Sequence, residues 1–162
     1  NLHFLFIGDG DLRPDVERTL AAHGVAAHAR FTGLVDPSWV PDFLAACDIL
    51  LSPHLPFEDG TEFFGSPTKL FEYLAAGRPV VPSNLGEIGR VVEDGQTGFL
   101  FPPGDGPGFQ AALQRLAQDP ERREAMGRRA RAVAEGRYTW TANAARALDG
   151  FIETVETHSP TP

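Results

Sequence analysis

The sequence predicts an α/β domain in which a parallel sheet of about five strands lies between two layers of helices. Short apolar runs of strand length alternate with longer segments of helical periodicity along the chain. Glycine and proline, with 17 and 14 residues, separate most of these segments. Because parallel strands are joined by right-handed crossovers, this alternation favours a doubly wound, three-layer arrangement. With 162 residues, 42% of them hydrophobic, the chain suffices for one domain with its own core.

The elements of the first third follow from local signals. The apolar run Leu2–Ile7, which ends at Gly8, predicts a buried strand. Pro14 in the first turn and Gly24 beyond the last turn predict a helix over Arg13–Ala22. The next predicted elements are a strand at Val25–Thr32, a helix at Pro37–Cys47 and a strand at Asp48–Ser52.

The rest of the chain begins with a long loop, Pro53–Gly65, and loops of this length inside a compact domain are usually functional. Ser66 and Pro67 are typical helix-start residues, and they predict a helix that runs to Ala76 before Gly77 ends it. The remaining predicted elements are a strand at Pro79–Val81, a helix at Glu87–Glu93, a strand at Gly98–Phe101, and helices at Gly106–Ala117, Glu121–Glu135 and Thr141–Thr157.

Composition excludes several classes of function. The net charge of −8 argues against charge-driven binding to nucleic acid or anionic lipid. Seven arginines over Arg115–Arg137 are expected in ion pairs such as Glu124–Arg128, with a basic binding face as the alternative. One cysteine, Cys47, leaves no intrachain disulfide or cysteine-based zinc site, and five scattered histidines predict no metal. No apolar run reaches the about 18 residues of a membrane span, so we expect a cytoplasmic protein.

The loops that follow strands are the candidate sites, because ligands of parallel sheets bind beyond the carboxyl ends of the strands. The turn Gly8–Asp9–Gly10 lies between a strand and a helix, as a phosphate-binding loop does, which makes Gly10 a candidate contact. The third glycine of the dinucleotide-binding fingerprint is replaced by Arg13. A plain strand-to-helix turn is therefore the favoured interpretation, with a phosphate loop as the alternative.

The start of the predicted helix that Ser66 and Pro67 begin combines several anion-binding features. Ser66 can cap the helix, and the free amides at its positive end form a phosphate site. Those amides belong to Gly65, Thr68 and Lys69. Lys69 adds a full charge, and the Glu72 carboxylate, one turn further, could accept two hydrogen bonds from a ribose diol. The alternative is that Glu72 only pairs with Lys69 on a solvated face.

Seven motifs, taken in order, resemble the C-terminal half of the retaining GT-B glycosyltransferases of family 4. They are Ile7–Gly10, Phe31–Gly33, Asp48–Pro53, Glu62–Gly65, Glu72–Val81, Asp94–Pro103 and Tyr138–Trp140. The resemblance implies a Rossmann-like fold and transfer of a sugar, with retention and without a metal, from a UDP- or GDP-sugar donor. It implies that Glu62 is the catalytic carboxylate that contacts the sugar and that Glu72 holds the ribose. The amides around Phe64, Gly65 and Ser66 would hold the sugar and the diphosphate.

The resemblance also implies that residues 1–162 are a single donor-binding domain without its usual first strand and helix. The acceptor-binding N-terminal domain is absent as well, so we expect the fragment alone to be inactive. The closing helix, within 138–157, would contact that absent domain. We expect the first and third strands to pair directly, in the order 2-1-3-4-5, and self-association through the exposed sheet edge or the closing helix is a further expectation. The full-length enzyme would be cytoplasmic or peripheral at the inner face of the membrane.

Two other functions remain as alternatives. One is a nucleotide-sugar 2-epimerase of GT-B fold, and the other is a non-catalytic nucleotide-binding or interaction module. Among individual residues, we expect His54 to lie on a loop surface rather than against a donor phosphate. Cys47 and Trp140 are expected in the core.

Overall fold

The computed structural model describes residues 2–57, 59 and 68–157, with side chains described as far as Asp149. Strands alternate with helices in the order that the sequence predicts, and α1 has the predicted bounds. The strands are β1 Phe4–Phe6, β2 Ala29–Phe31, β3 Leu50–Ser52 and β4 Val80–Pro82. The helices are α1 Arg13–Ala22, α2 Val40–Ala45, α3 Thr68–Ala75, α4 Gly86–Val91, α5 Gly106–Gln118, α6 Pro120–Arg137 and α7 Trp140–Thr157.

The strands are parallel and form two pairs. Phe4 of β1 is level with Ala29 of β2, and Leu50 of β3 is level with Val80 of β4. The predicted strand at Gly98–Phe101 runs beside β4 and is joined to it by single parallel bridges, one at each of its ends. The expected direct pairing of the first and third strands is wrong, because β1 and β3 belong to separate sheets.

Side chains, rather than backbone hydrogen bonds, connect the two pairs of strands. Phe4 of β1 packs against the same buried cluster as Ile49 and Leu51 at β3. The hydrophobic effect does not require the directional geometry of a hydrogen bond. Apolar burial can therefore hold β1 beside β3 although the two strands belong to separate sheets.

The core lies on both faces of β4, as a three-layer domain requires. Val80 belongs to a cluster with residues of α3, α4 and α6, and the next residue, Val81, belongs to a second cluster with residues of α5. Successive strand side chains point to opposite faces, so this alternation places helices on both sides of the sheet. Both valines are 0% exposed, and burial of each contributes roughly 1.5–3 kcal/mol.

Helix α6 packs tightly against the end of α3. A Cβ atom on Gly127 of α6 would lie 2.2 Å from the carbonyl oxygen of Gly77, the residue that ends α3 with a φ of 69°. In addition, Arg131 of α6 donates a hydrogen bond to the carbonyl of Ala75 at the last turn of α3. The position of α3 is therefore fixed from the side of α6.

Each arginine between Arg115 and Arg137 has a partner within the described part of the chain. Arg128 pairs with Glu124 as predicted, and Arg129 and Arg137 both pair with Glu93. The others bond Asp119, Glu135 and the last carbonyls of α5, and Arg115 lies over the Phe99 ring. These partners support the predicted ion-paired helix over a basic binding face.

Helix α7 leaves most of its described surface uncovered. Trp140 is 89% exposed, so its expected place in the core is wrong, and Leu148 is 63% exposed. Arg146 donates a hydrogen bond of 2.6 Å to the Arg137 carbonyl, which ties α7 to the end of α6. Over the described residues, no helix is both long and apolar enough to cross a membrane.

Candidate functional site

The candidate site is the edge of the domain at which the carboxyl ends of the strands lie. In the chain, α3 connects β3 to β4, and the two strands are parallel. The start of α3 therefore lies at the same edge as the ends of β3 and β4, where ligands of parallel sheets bind.

The glycine turn after β1 is held by the end of β2. The Gly8 N–H donates to the Gly33 carbonyl at 3.1 Å and lies 3.2 Å from the Thr32 hydroxyl. Gly8 has a φ of 114°, a conformation that glycine adopts without strain. The Gly10 N–H donates to the Asp9 carboxylate at 2.9 Å. A phosphate at Gly10 would have to displace that carboxylate, and Gly10 as a phosphate contact stays a prediction.

Arg13, at the start of α1, brings a cation to this turn. Its guanidinium bonds Glu17 at 2.8 Å and Asp9 at 3.5 Å, and it lies over the Phe31 ring at 5.2 Å. Sequence reasoning treated Arg13 only as the residue that breaks a glycine fingerprint. Its charge is balanced by two carboxylates, so the turn presents no net positive charge.

Helix α3 presents three of the predicted site residues together. Thr68, Lys69 and Glu72 are its exposed residues, while Leu70 and Leu74, at 1% and 0% exposure, anchor the opposite side in the core. We call this set of three the polar face of α3. Positions three and four apart on a helix are neighbours, so the three side chains share one surface.

The two charged groups of the polar face do not pair with each other. Among the described residues, neither the Lys69 ammonium nor the Glu72 carboxylate has an ion-pair partner within 4.0 Å. The alternative in which Glu72 serves only to pair with Lys69 therefore lacks its contact. Both groups remain available to a ligand that carries hydroxyls and negative charge.

Tyr73, next to Glu72, is held neutral by its surroundings. Burial raises the pKa of the Tyr73 phenol, and the nearby Glu72 carboxylate raises it further. Cys47 lies close by and is partly buried, with its thiol bonded to the Phe43 carbonyl at 3.3 Å. Burial likewise raises the pKa of this thiol, so Cys47 fits a packing role better than a reactive one.

The ends of β3 and β4 are joined through His54. Its backbone N–H donates to the Ser83 hydroxyl at 2.8 Å, and that hydroxyl donates to the His54 carbonyl at 2.7 Å. Its ring Nδ1 lies 3.1 Å from the Ser52 carbonyl oxygen and 3.2 Å from the Ser52 hydroxyl. His54 is partly buried and lies outside the helices and strands, and its expected place on a loop surface stays a prediction.

Sequence reasoning missed both serines. Ser52 and Ser83 are 4% and 0% exposed, and each stands at the carboxyl end of its strand. A serine that ends, or directly follows, each of two apolar strands is the signal that could have found them.

Four further predicted site residues precede α3 in the sequence. Glu62, Phe64, Gly65 and Ser66 lie outside the described residues, so their roles stay predictions. Within the described ranges, no group of three or more His, Cys, Asp or Glu side chains is placed to hold a metal ion.

Comparison with known proteins identifies the family. Residues 1–119 match the family described as glycosyl transferases group 1. The chain is 29% identical to an alpha-D-kanosaminyltransferase of Streptomyces kanamyceticus, over 86% of the chain and 34% of that protein. It is 34% identical to a phosphatidyl-myo-inositol mannosyltransferase of Mycobacterium leprae, over 97% of the chain and 39% of that protein. The chain thus spans little more than a third of the length of these relatives.

Solved structures agree with this relationship. Sucrose-phosphate synthase from Thermosynechococcus elongatus superposes with a TM-score of 0.76 at 22% identity, over 94% of this chain and 38% of that one. The Anabaena protein Alr3699/HepE in complex with UDP superposes with a TM-score of 0.77 at 23% identity, over 92% of this chain and 41% of that one. These likenesses confirm the predicted fold class, that of GT-B glycosyltransferases.

Proposed function

The chain belongs to the glycosyl transferases of group 1, and on that premise we propose that it forms the part of such an enzyme that binds a nucleotide-sugar donor. The observation that carries this proposal is the polar face of α3. Three predicted donor-binding residues share one exposed surface at the edge where the strands end, and their charged groups are not paired with each other.

Each group on this face suits a different part of the donor. The Glu72 carboxylate accepts two hydrogen bonds and so matches the vicinal hydroxyls of a ribose. The Lys69 ammonium matches a diphosphate, and the positive end of α3 adds to its attraction. The hydroxyl of Thr68, at the first turn, can donate to a phosphate oxygen.

The donor is a nucleoside diphosphate sugar in this proposal. Support comes from solved relatives that are described as complexes with UDP, with UDP and glucose, and with UDP-glucose. A UDP-sugar is therefore the first donor to test, and a GDP-sugar is the second.

The reaction proposed for the whole enzyme is glycosyl transfer with retention. The bond between the anomeric carbon and the diphosphate oxygen breaks, a bond from that carbon to an acceptor oxygen forms, and the acceptor proton passes to the leaving diphosphate. Negative charge grows on the diphosphate in the transition state. Preorganised N–H groups and the Lys69 charge would stabilise it, which is electrostatic catalysis without a metal. Glu62 would contact the hydroxyls of the transferred sugar.

The acceptor would be bound by a second, N-terminal domain, with catalysis in the cleft between the two. The uncovered side of α7 is where we expect that domain to make contact, since Trp140 and Leu148 are exposed there. Self-association through α7 or the edge of β1 is the competing use of these surfaces. The compartment proposed is the cytoplasm or the inner face of a membrane.

The test is calorimetric titration of UDP, GDP and ADP into the wild-type chain and into Glu72→Ala. Because a hydrogen bond to a charged group contributes roughly 1.5–3 kcal/mol, Glu72→Ala should weaken the preferred nucleotide about tenfold or more. The matched control is Glu124→Ala, since Glu124 is an exposed helix glutamate on α6. Equal affinity of wild type and Glu72→Ala for every nucleotide, or no saturable binding at all, would refute the proposal.

A further inference from the structure

At the carboxyl end of β4, a side chain continues the parallel ladder after the backbone has left it. The Leu50 N–H donates to the Pro79 carbonyl at 3.0 Å, and the N–H groups that face one neighbouring strand recur at every second residue. Two such steps bring the His54 N–H to Ser83. The Ser83 carbonyl accepts from the Leu85 N–H at 3.0 Å, and the His54 N–H donates instead to the Ser83 hydroxyl at 2.8 Å.

The Ser83 hydroxyl holds both polar groups of one backbone residue. Besides accepting from the His54 N–H, it donates to the His54 carbonyl at 2.7 Å. We call this pair of hydrogen bonds the Ser83 clip. Ser83 is 0% exposed, so loss of the clip leaves buried polar groups without a partner. Rotation about one side-chain bond breaks both hydrogen bonds, so the clip has a closed and an open state.

The Ser83 clip lies at the edge of the sheet that carries the candidate site. His54 is two residues beyond β3 and Ser83 directly follows β4, so the clip joins the carboxyl ends of two paired strands. The start of α3, with its polar face, lies at the same edge. Ligands of parallel sheets bind just beyond such strand ends, so the clipped backbone is the floor beneath a ligand of α3. Opening of the clip releases that floor.

A second hydroxyl makes the same pair of bonds at the opposite edge. The Glu93 N–H donates to the Thr97 hydroxyl at 2.9 Å, and that hydroxyl lies 3.4 Å from the Glu93 carbonyl oxygen, to which it donates. Thr97 is also 0% exposed. It directly precedes Gly98, which is bridged in parallel to Val80, the first residue of β4, so it lies at the amino ends of the strands. This Thr97 clip therefore matches the Ser83 clip in chemistry and burial and differs in its edge.

We propose that Ser83 is a positioning residue for the donor, and that the nucleoside diphosphate binds only while the Ser83 clip is closed. This inference rests on the proposed function, because it concerns the same donor on the polar face of α3. Donor binding and closure of the clip are then linked. The bound donor favours the closed clip, and loss of the clip weakens the donor by the same coupling.

The first test is hydrogen exchange of two amides in the wild-type chain, followed by NMR with and without UDP. The N–H groups of His54 and Glu93 each donate to a buried hydroxyl, and each exchanges with solvent when its clip opens. At a UDP concentration about ten times the dissociation constant, a state that does not bind UDP becomes about tenfold rarer. Exchange at His54 should therefore slow about tenfold, and exchange at Glu93 by less than about twofold. GDP replaces UDP if the wild type prefers it.

The second test is calorimetric titration of UDP into three variants. Ser83→Ala removes the hydroxyl and leaves both His54 backbone groups without their partner, so it should weaken UDP about tenfold. Ser83→Thr keeps the hydroxyl and should restore most of that affinity. Thr97→Ala removes the matched clip and is the control, for which we expect the affinity of the wild type. Circular dichroism checks that each variant is folded at the titration temperature. If Ser83→Ala does not fold, the exchange measurement on the wild type decides.

Four outcomes would overturn the inference. UDP that binds without slowing exchange at His54, or that slows it equally at Glu93, shows that binding does not depend on the Ser83 clip. An equal loss of affinity in Ser83→Ala and Thr97→Ala shows that Ser83 serves stability alone. Wild-type affinity in Ser83→Ala, with Glu72→Ala still impaired, ends this inference and leaves the proposed function intact. If the folded wild type binds no nucleotide, the proposed function fails and the inference fails with it.

Discussion

Replacing Gly127 of α6 with alanine should destabilise the chain, whereas the same replacement at Gly136 of that helix should stabilise it. A Cβ atom at position 127 would lie 2.2 Å from the Gly77 carbonyl oxygen and 3.1 Å from its carbonyl carbon. At position 136 a Cβ atom would meet nothing within 4 Å. The two sites thus share a helix and a chemical change, and they differ in the close backbone contact.

The expected magnitudes follow from two opposing effects. Replacing a glycine inside a helix with alanine raises the free energy of unfolding by roughly 0.5–1 kcal/mol, because alanine has less conformational entropy in the unfolded chain than glycine has. At Gly136 this gain stands alone. At Gly127 overpacking costs about 1–3 kcal/mol, and a backbone oxygen cannot turn away as a flexible side chain can. The upper part of that range applies, so the net loss at Gly127 is about 1–2 kcal/mol.

The free energy of unfolding is measured by urea titration followed by far-ultraviolet circular dichroism, with wild type and both variants side by side. The Gly127→Ala variant should unfold at lower urea concentration with an unchanged slope, and its melting temperature should fall by about 2–4 °C per kcal/mol. A Gly127→Ala variant as stable as Gly136→Ala would refute the close packing of α6 on the end of α3.

Three further predictions test other parts of the structure. Burial raises the pKa of the Cys47 thiol and of the Tyr73 phenol in the folded chain. The unfolded chain therefore loses these two protons at a lower pH than the folded chain does. The free energy of unfolding should therefore stay constant below about pH 8.5 and fall as the pH rises through about 10. In Tyr73→Phe the fall should be shallower, and the urea midpoint measured as a function of pH checks both expectations. Gly98→Ala should cost about 2–3 kcal/mol, because its Cβ would lie 1.9 Å from the Val80 oxygen; a melting curve like that of wild type would contradict this. Trp140→Ala should change the unfolding free energy by less than about 0.5 kcal/mol, since Trp140 is 89% exposed, and a loss above about 1 kcal/mol would show hidden burial.

The sequence predicted those features that depend on local signals. The bounds of α1 agree with prediction, because proline and glycine near its ends act within a few residues of themselves. The helices of the second half agree closely for the same reason, with Asp105 capping α5 and Asp119 capping α6. The predicted strand at Val25–Thr32 is shortened to β2, because Ala26–His28 forms a 3-10 turn.

Features that depend on distant contacts were predicted less well. The exposure of Trp140 depends on what packs against α7, and the pairing of β1 depends on which strand lies beside it. The hold on His54 comes from Ser83, which is far along the chain. For the candidate site, periodicity placed Thr68, Lys69 and Glu72 on one helix surface, and the structure agrees; the partners of their charges could not be read from spacing alone.

The central claim is that the polar face of α3 binds a nucleoside diphosphate, and the most direct measurement is a map of the binding surface. Backbone amide resonances of the chain are recorded by NMR during titration with UDP, and with GDP if UDP does not bind. If the claim holds, the largest chemical-shift changes fall on the amides of Thr68, Lys69 and Glu72. Saturable shifts confined to α5 and α7, or no shifts at any amide, would contradict it.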